Sequence, residues 1–388
     1  LAIQNTGRLG GHWLWSSLHR LVVEGNVVHM VDVSVAIQGL LPEELASRLD
    51  CKVSEIRRAV AAVHQHRTSD LQTPLNQVSR RTRERLSDHC HIGQLEVARV
   101  QDSRLDPFTK FALRTPDGHL IETVRIPLER AGRYSVCVSS QVGCGMGCRY
   151  CKTAQAGLSR NLEAWEIVEQ VRLVRQSLPP GSRVSGVVFQ GMGEPLANLQ
   201  AVVQAVRVLS EPSCQSIDQK AITLCTSGLA RGIERLQVAN LRVRIGLSIG
   251  SAIPVLRARL MPLETHAPLS EAVEALIEYS RSAAQSQMLA YTLLSGVNCS
   301  RADAEALRDL ALDIGRRSGR MPRLSLIAYN PIGPGDPFRR ASPQEAEEFR
   351  LQLISAGFPV VRRYSGGADI GAACGQLAAA TPEQSQST

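Results

Sequence analysis

The sequence predicts an α/β protein, a partial (β/α) barrel preceded by a small helical domain. Two observations lead there. From position 136 onward, short apolar runs alternate with stretches of helical period, and repeated strand-then-helix units imply a parallel sheet. Near the N-terminus, leucine and valine recur at three- and four-residue spacing, the mark of helices that bury one face. At 388 residues the chain is long enough for one large α/β domain and a smaller one.

Residues 1–40 show little clean periodicity and receive no function; the chain opens on Leu1, and a true start near Met30 is expected. From Leu41, the positions Leu45, Leu49, Ile56, Val60 and Val63 follow helical spacing, with Pro42 suited to a first turn and Ser54 to a cap. This helical domain is expected to reach about residue 70, with a basic face of Arg57, Arg58, His64 and Arg67. A polar, Arg-rich connector follows, so that 41–89 form one unit.

Residues 119–127 and 133–140 are rich in β-branched residues and follow turns at Asp117-Gly118 and Ala131-Gly132, so both read as strands. Apolar runs at 184–192, 221–226, 243–249, 288–294, 324–329 and 359–361 then alternate with helical patterns at 162–174, 198–209, 269–279, 301–314 and 343–353. Six or seven such units fit a partial or full barrel, whose active site collects at the C-terminal ends of its strands. The core is placed at 90–380, with flanking strands, and the polar tail 381–388 is expected to be disordered.

The formal charge of +8 and the pI near 9.1 favour a polyanionic partner, nucleic acid above all. Basic residues cluster at Arg80, Arg81, Arg83 and Arg85, at Arg339 and Arg340, and at Arg362 and Arg363, although each cluster alone also suits a solvated face. No apolar run reaches the roughly 18 residues of a membrane helix, and the N-terminus lacks a basic-then-apolar leader, so a cytoplasmic protein without a membrane partner is expected. The ten cysteines are spread over a large chain rather than set out as a disulfide framework.

Cys144, Cys148 and Cys151 stand in the run CGMGCRYC. A structural zinc site wants four closed Cys or His ligands, usually as two separated pairs. Here His91 and His119 lie far upstream and the next cysteine, Cys214, is remote. Three thiolates are one short of the four that complete a four-iron cubane, leaving one iron open to a small molecule. Downstream, the segment GMGEPL directly follows an apolar strand; its glycines suit close approach of backbone to a ligand, and Glu194 can accept from an ammonium. Near the end, Cys374 lies among Ala372, Ala373 and Gly375, small neighbours that leave a thiol accessible and its loop able to move.

The Cys-x3-Cys-x2-Cys spacing resembles that of the radical S-adenosylmethionine (SAM) superfamily. That resemblance implies a radical SAM barrel, with a 4Fe-4S cluster on Cys144, Cys148 and Cys151, and SAM cleaved at the open iron to a 5′-deoxyadenosyl radical. Over about residues 90–380 the segments ETVRIP, CVSSQVGCGMGCRYC, LSRNL, GMGEPL, LIAYNP and AACGQL narrow it to the RlmN/Cfr family of RNA methyltransferases, which the chain resembles. The resemblance implies methylation of an adenine ring carbon in 23S rRNA, and in tRNA as well, with an electron donor such as flavodoxin or ferredoxin. Pro195 looks more like the carbon-2 than the carbon-8 enzymes.

By the same resemblance, Cys374 carries the methyl group, Cys137 resolves the protein–RNA crosslink through a transient disulfide with Cys374, and Glu122 takes the ring proton. SAM contacts are implied for Gly193, Glu194, Cys225, Ser248, Ile249, Gly250 and Asn330. Two segments depart from the family pattern: Cys225 stands where a serine is usual, and Ser248, Ile249, Gly250 and Ser251 stand in place of Ser-Leu-His-Ala. Two competing readings are a radical SAM enzyme acting on another RNA or a small molecule, and an iron–sulfur RNA-binding protein without methyl transfer.

Overall fold

Helices α1 (Pro42–Leu49) and α2 (Val53–Gln65) pair through Leu45, Ala46 and Leu49 of the first and Ile56, Ala59, Val60 and Val63 of the second, all buried in one cluster. Pro42 sits in the first turn of α1, where a missing N–H costs nothing. Ser54 does not cap α2: the helix starts at Val53, and the Lys52 carbonyl accepts from the amides of Glu55 and Ile56. The expected connector contains a third helix, α3 (Arg80–His89), which buries only Thr82 and Leu86 and so carries almost no apolar period. It is anchored at its start. Ser79 caps Thr82, and Glu55 on α2 accepts from the hydroxyls of Thr82 (2.5 Å) and Ser79 (2.7 Å) and from the Ser79 amide (3.1 Å). These bonds to the ionised form hold the Glu55 carboxyl down at about 2.

The computed structural model describes residues 19–24, 27–32, 34–65, 68, 70–283, 285–355, 357–358, 360–363 and 365–378. Within the N-terminal segment, His19–Glu24 and Val27–Asp32 pair as antiparallel strands. The expectations for Arg67 and for the tail 381–388 fall outside the described residues, as do those for the side chains of Arg362 and Arg363.

Ten strands form one sheet in strict chain order. They are β1 (Glu96–Asp102), β2 (Thr109–Arg114), β3 (Leu120–Pro127), β4 (Arg133–Cys137) and β5 (Arg183–Phe189), then β6 (Ile222–Thr226), β7 (Arg244–Ser248), β8 (Met288–Leu293), β9 (Arg323–Ala328) and β10 (Val360–Arg363). Pairing is antiparallel from β1 to β4 and parallel from β4 to β10. The parallel crossovers carry α4 (Ala164–Gln176), α5 (Leu199–Ser210), α6 (Ala230–Val238), α7 (Leu269–Ser282), α8 (Arg301–Ser318) and α9 (Pro343–Ile354). Because β1 and β10 lie at opposite ends of the sheet without pairing to each other, the barrel is partial. Edge strand β1 is exposed along almost its whole length and mixes charge with valine, which hid it from pattern reading.

Register decides what the antiparallel strands present. Lys110 pairs with Val124, Ala112 with Glu122, and Val124 with Cys137. Side chains of paired residues point to the same side of a sheet, and residues two apart on a strand do too, so Lys110, Glu122, Val124 and Cys137 share one face.

Candidate active site

The positions singled out in the core sequence converge at the C-terminal ends of the parallel strands. Strand β4 ends at Cys137 and leads into the Cys144–Cys151 loop; β5 leads to Gly193 and Glu194, β6 to Ser227, β7 to Ile249 and Gly250, β9 to Asn330, and β10 to Cys374. Glu122 comes from β3, beside β4.

The loop holding the three thiols is tied down by its backbone. The Cys144 amide donates to Gly157 (2.7 Å), that of Arg149 to Leu260 (3.0 Å) and that of Lys152 to Gly375 (2.8 Å), the last joining it to the Cys374 segment. Cys148 and Tyr150 pack against a small apolar cluster of Leu260, Met261, Leu294 and Tyr329. Burial above all, with negative charge on Cys151 and Glu194 acting in the same direction, pushes the Cys144 thiol up to about 12 and that of Cys148 higher. Cys144 and Cys148 therefore sit in an apolar site, where they ionise only if a cation compensates them. Among the described residues no three His, Cys, Asp or Glu side chains close on a single-ion position. A thiol-only set of three, with no fourth ligand, fits three irons of a 4Fe-4S cube.

Beside the thiols lies Glu194, buried, with one carboxylate oxygen accepting from the amide and hydroxyl of Ser227 (2.7 Å each) and the other from the Leu196 amide (3.0 Å). Burial raises its pKa against these bonds, which pull it down. The Thr226 hydroxyl bonds it as well, so an ammonium reaching Glu194 would share or displace one of these donors. Gly193 adopts φ +100°, and a Cβ there would lie 2.6 Å from the Gln141 Cβ and 2.8 Å from its amide nitrogen. The loop thus requires glycine on both conformational and steric grounds. Gly193→Ala is expected to lower turnover by roughly tenfold to a hundredfold through displacement of Glu194, with a matching loss of SAM affinity in equilibrium binding; an unchanged affinity would remove Gly193 from the cofactor site.

Arg257, which pattern reading missed, organises the next two strand ends. Fully buried, it pairs with Glu264 (2.6 Å) and donates to the carbonyls of Ser227 (2.6 Å), Ser248 (2.9 Å) and Ile249. It locks the tips of β6 and β7 together. Gly250 has φ +65°, and a Cβ would stand 2.7 Å from the Met261 sulfur. Met261 therefore occupies space that a side chain at this departure from the family pattern would need. Cys225 is buried and lies against Gly246, whose Cβ would be 3.1 Å from its sulfur.

Cys137 and Cys374 line one cleft, together with Phe108, Val124, Ile126 and Gln190. The Cys374 amide donates to the Ser365 hydroxyl (3.0 Å), which also accepts from the Asn330 side-chain amide (3.0 Å). Asn330 donates further to the Cys374 carbonyl (3.3 Å) and accepts from Arg340. Its amide, expected to face SAM, is in this arrangement part of the seat of the Cys374 loop. Glu122 is buried, ion-paired with Lys110 (2.9 Å) and accepting from the Ala378 amide (2.8 Å). Ser365 and Lys110 carry no local motif, and Arg340 stands out in the sequence only as part of a basic cluster with Arg339.

Comparison with known proteins agrees with this geometry. A family model for the radical SAM superfamily matches residues 138–299. The chain is 47% identical to a probable RNA methyltransferase of Sorangium cellulosum, over 89% of this chain and 92% of that one. It is 36% identical to a probable dual-specificity RNA methyltransferase RlmN of Moorella thermoacetica, over 90% and 98%. A crystal structure of a radical SAM methyltransferase from Sphaerobacter thermophilus superposes with a TM-score of 0.79 at 33% identity, covering 89% of this chain and all of that one.

Proposed function

Given that the chain belongs to the RlmN/Cfr family of radical SAM RNA methyltransferases, we propose that it methylates carbon-2 of adenine in 23S rRNA and in tRNA, with Cys374 as carrier of the methyl group. Its cofactors are a 4Fe-4S cluster and SAM, and its substrate is RNA. When bound together, they supply a 5′-deoxyadenosyl radical able to take hydrogen from an unactivated methyl group. Radical chemistry is needed because an adenine ring carbon offers no lone pair for polar attack on SAM.

The observation that carries this reading is the cleft shared by Cys137 and Cys374, on the same sheet face as Glu122. Once hydrogen is taken from the Cys374 S-methyl group, the resulting methylene radical bonds to the ring carbon; the adduct gives up one electron, which the bound cluster would accept, and Glu122 takes the ring proton to leave a closed-shell thioether. The Cys137 thiolate then attacks the Cys374 sulfur. The sulfur–carbon bond breaks with its electron pair passing to carbon, which takes up a proton to become the methyl product, and a Cys137–Cys374 disulfide remains. Reduction of that disulfide and delivery of electrons by a flavodoxin or ferredoxin suit a reducing, cytoplasmic setting. Among the described residues no helix is long and apolar enough to cross a membrane.

The test is mass spectrometry of adenosines from rRNA and tRNA, in cells with and without the gene. Loss of 2-methyladenosine from both RNAs is the expected result. Unchanged methyladenosines would remove RNA carbon-2 as the target, and loss of an 8-methyl product would reassign the carbon.

A further inference from the structure

Lys110 has no place in the reaction as described, yet it is buried against the proposed proton acceptor. Its ammonium lies 2.9 Å from one Glu122 oxygen, with the two side chains only 11% and 7% exposed. The other Glu122 oxygen accepts from the Ala378 amide at 2.8 Å. A donor on each oxygen, from two different partners, leaves the carboxylate plane little freedom. Sheet register sets this up: Lys110 pairs with Val124, two residues along β3 from Glu122 and on the same face, and such diagonal neighbours are within reach of a long side chain. The same ammonium lies 3.5 Å from the Gly371 carbonyl, three residues before Cys374, while Ala378 lies four residues after it.

We propose that Lys110 is a positioning residue for proton removal: it orients the Glu122 carboxylate on the face shared with Cys137 and registers it against the loop that carries Cys374. This rests on the reading of Glu122 as the group that takes the ring proton. Lys110 touches neither RNA nor thiol in this role. Its work is to hold the acceptor where the adduct's ring carbon arrives.

The proposal makes a demand on which step fails. Methylation of Cys374 and formation of 5′-deoxyadenosine precede proton removal and do not involve Glu122. In Lys110→Met, both are therefore expected to proceed, while RNA methylation falls by roughly tenfold and a covalent protein–RNA adduct builds up even with Cys137 present. Lys110→Arg, which keeps a buried cation at this position, restores turnover. Glu122→Gln is expected to show the same accumulation with a loss of roughly a hundredfold or more.

The steps are read separately by intact-protein mass for S-methylation, chromatography for 5′-deoxyadenosine, and denaturing gels for the adduct. If Glu122→Gln is impaired but Lys110→Met turns over normally, the proposal is overturned. If Lys110→Met loses Cys374 methylation as well, or fails to fold where Glu122→Gln folds, Lys110 is a general structural residue and the proposal is equally overturned. If Glu122→Gln itself turns over normally, it is the assignment of the proton acceptor that fails.

Discussion

Alanine in place of any one of Cys144, Cys148 or Cys151 abolishes 5′-deoxyadenosine formation and empties the protein of iron and sulfide: this is the largest effect the structure predicts. Nothing else is set to substitute, since among the described residues no other group of three or more His, Cys, Asp or Glu side chains could hold a metal ion. The site is also apolar, so a cube held by two thiolates would be open to water and oxidant at two irons. Burial adds to the dependence. Cys144, at about 12, and Cys148, above it, ionise only with compensation from bound iron, and a cluster that has lost one thiolate is held too weakly to supply it. Cys214→Ala is the control. That thiol is buried among apolar side chains far from the loop and behaves as a small hydrophobe, so its loss affects packing and leaves iron content intact. Anaerobic reconstitution followed by iron and sulfide assay distinguishes the variants, and normal iron content in any of the three loop variants would sink the ligand assignment.

The second large effect separates the two remaining cysteines. Cys137→Ala is expected to halt the enzyme as a covalent RNA adduct, whereas Cys374→Ala forms no adduct and methylates no RNA. Both thiols line one cleft, but they arrive on different supports. Cys137 is the last residue of β4, fixed by pairing on both sides with Val124 and Val188. Cys374 lies in an irregular loop, held through its backbone by Ser365 and Asn330. A carrier that must first receive a methyl group and then meet RNA belongs on the more deformable support, and a resolving thiolate on the rigid one. Denaturing electrophoresis with labelled RNA reads the result. An adduct in Cys374→Ala, or none in Cys137→Ala, would reverse or reject these roles.

Much of the site was legible in the sequence because its most distinctive residues sit in short local motifs. The three cysteines, Gly193 with Glu194, and Cys374 among small residues each have a chemical meaning within a few positions. The parallel strands were equally plain, since strands buried on both faces appear as continuous apolar runs. What escaped depends on distant placement. Arg257 stands in Arg-Ala-Arg and has the look of surface charge, yet it is fully buried because three carbonyls and Glu264 from separate turns surround it. Lys110 acquires its role from register across two strands. Helix α3 has the sequence of a connector because its stability comes from a cap and from Glu55 rather than from an apolar stripe.

The unbroken ribbon from β3 through β4 into the cysteine loop constrains how this enzyme can vary. Glu122, Cys137 and the thiols at 144, 148 and 151 all ride on it, so the relative placement of the proposed proton acceptor, resolving thiol and metal anchors is inherited from a single hairpin and the loop that follows it. One residue gained or lost inside either strand would turn every following side chain to the opposite face. Drift in length is most tolerable within the crossover helices, away from the strand-end segments that carry Glu194, Arg257 and Asn330; it is intolerable in the ribbon, where five of the site's side chains are spaced as if along one ruler.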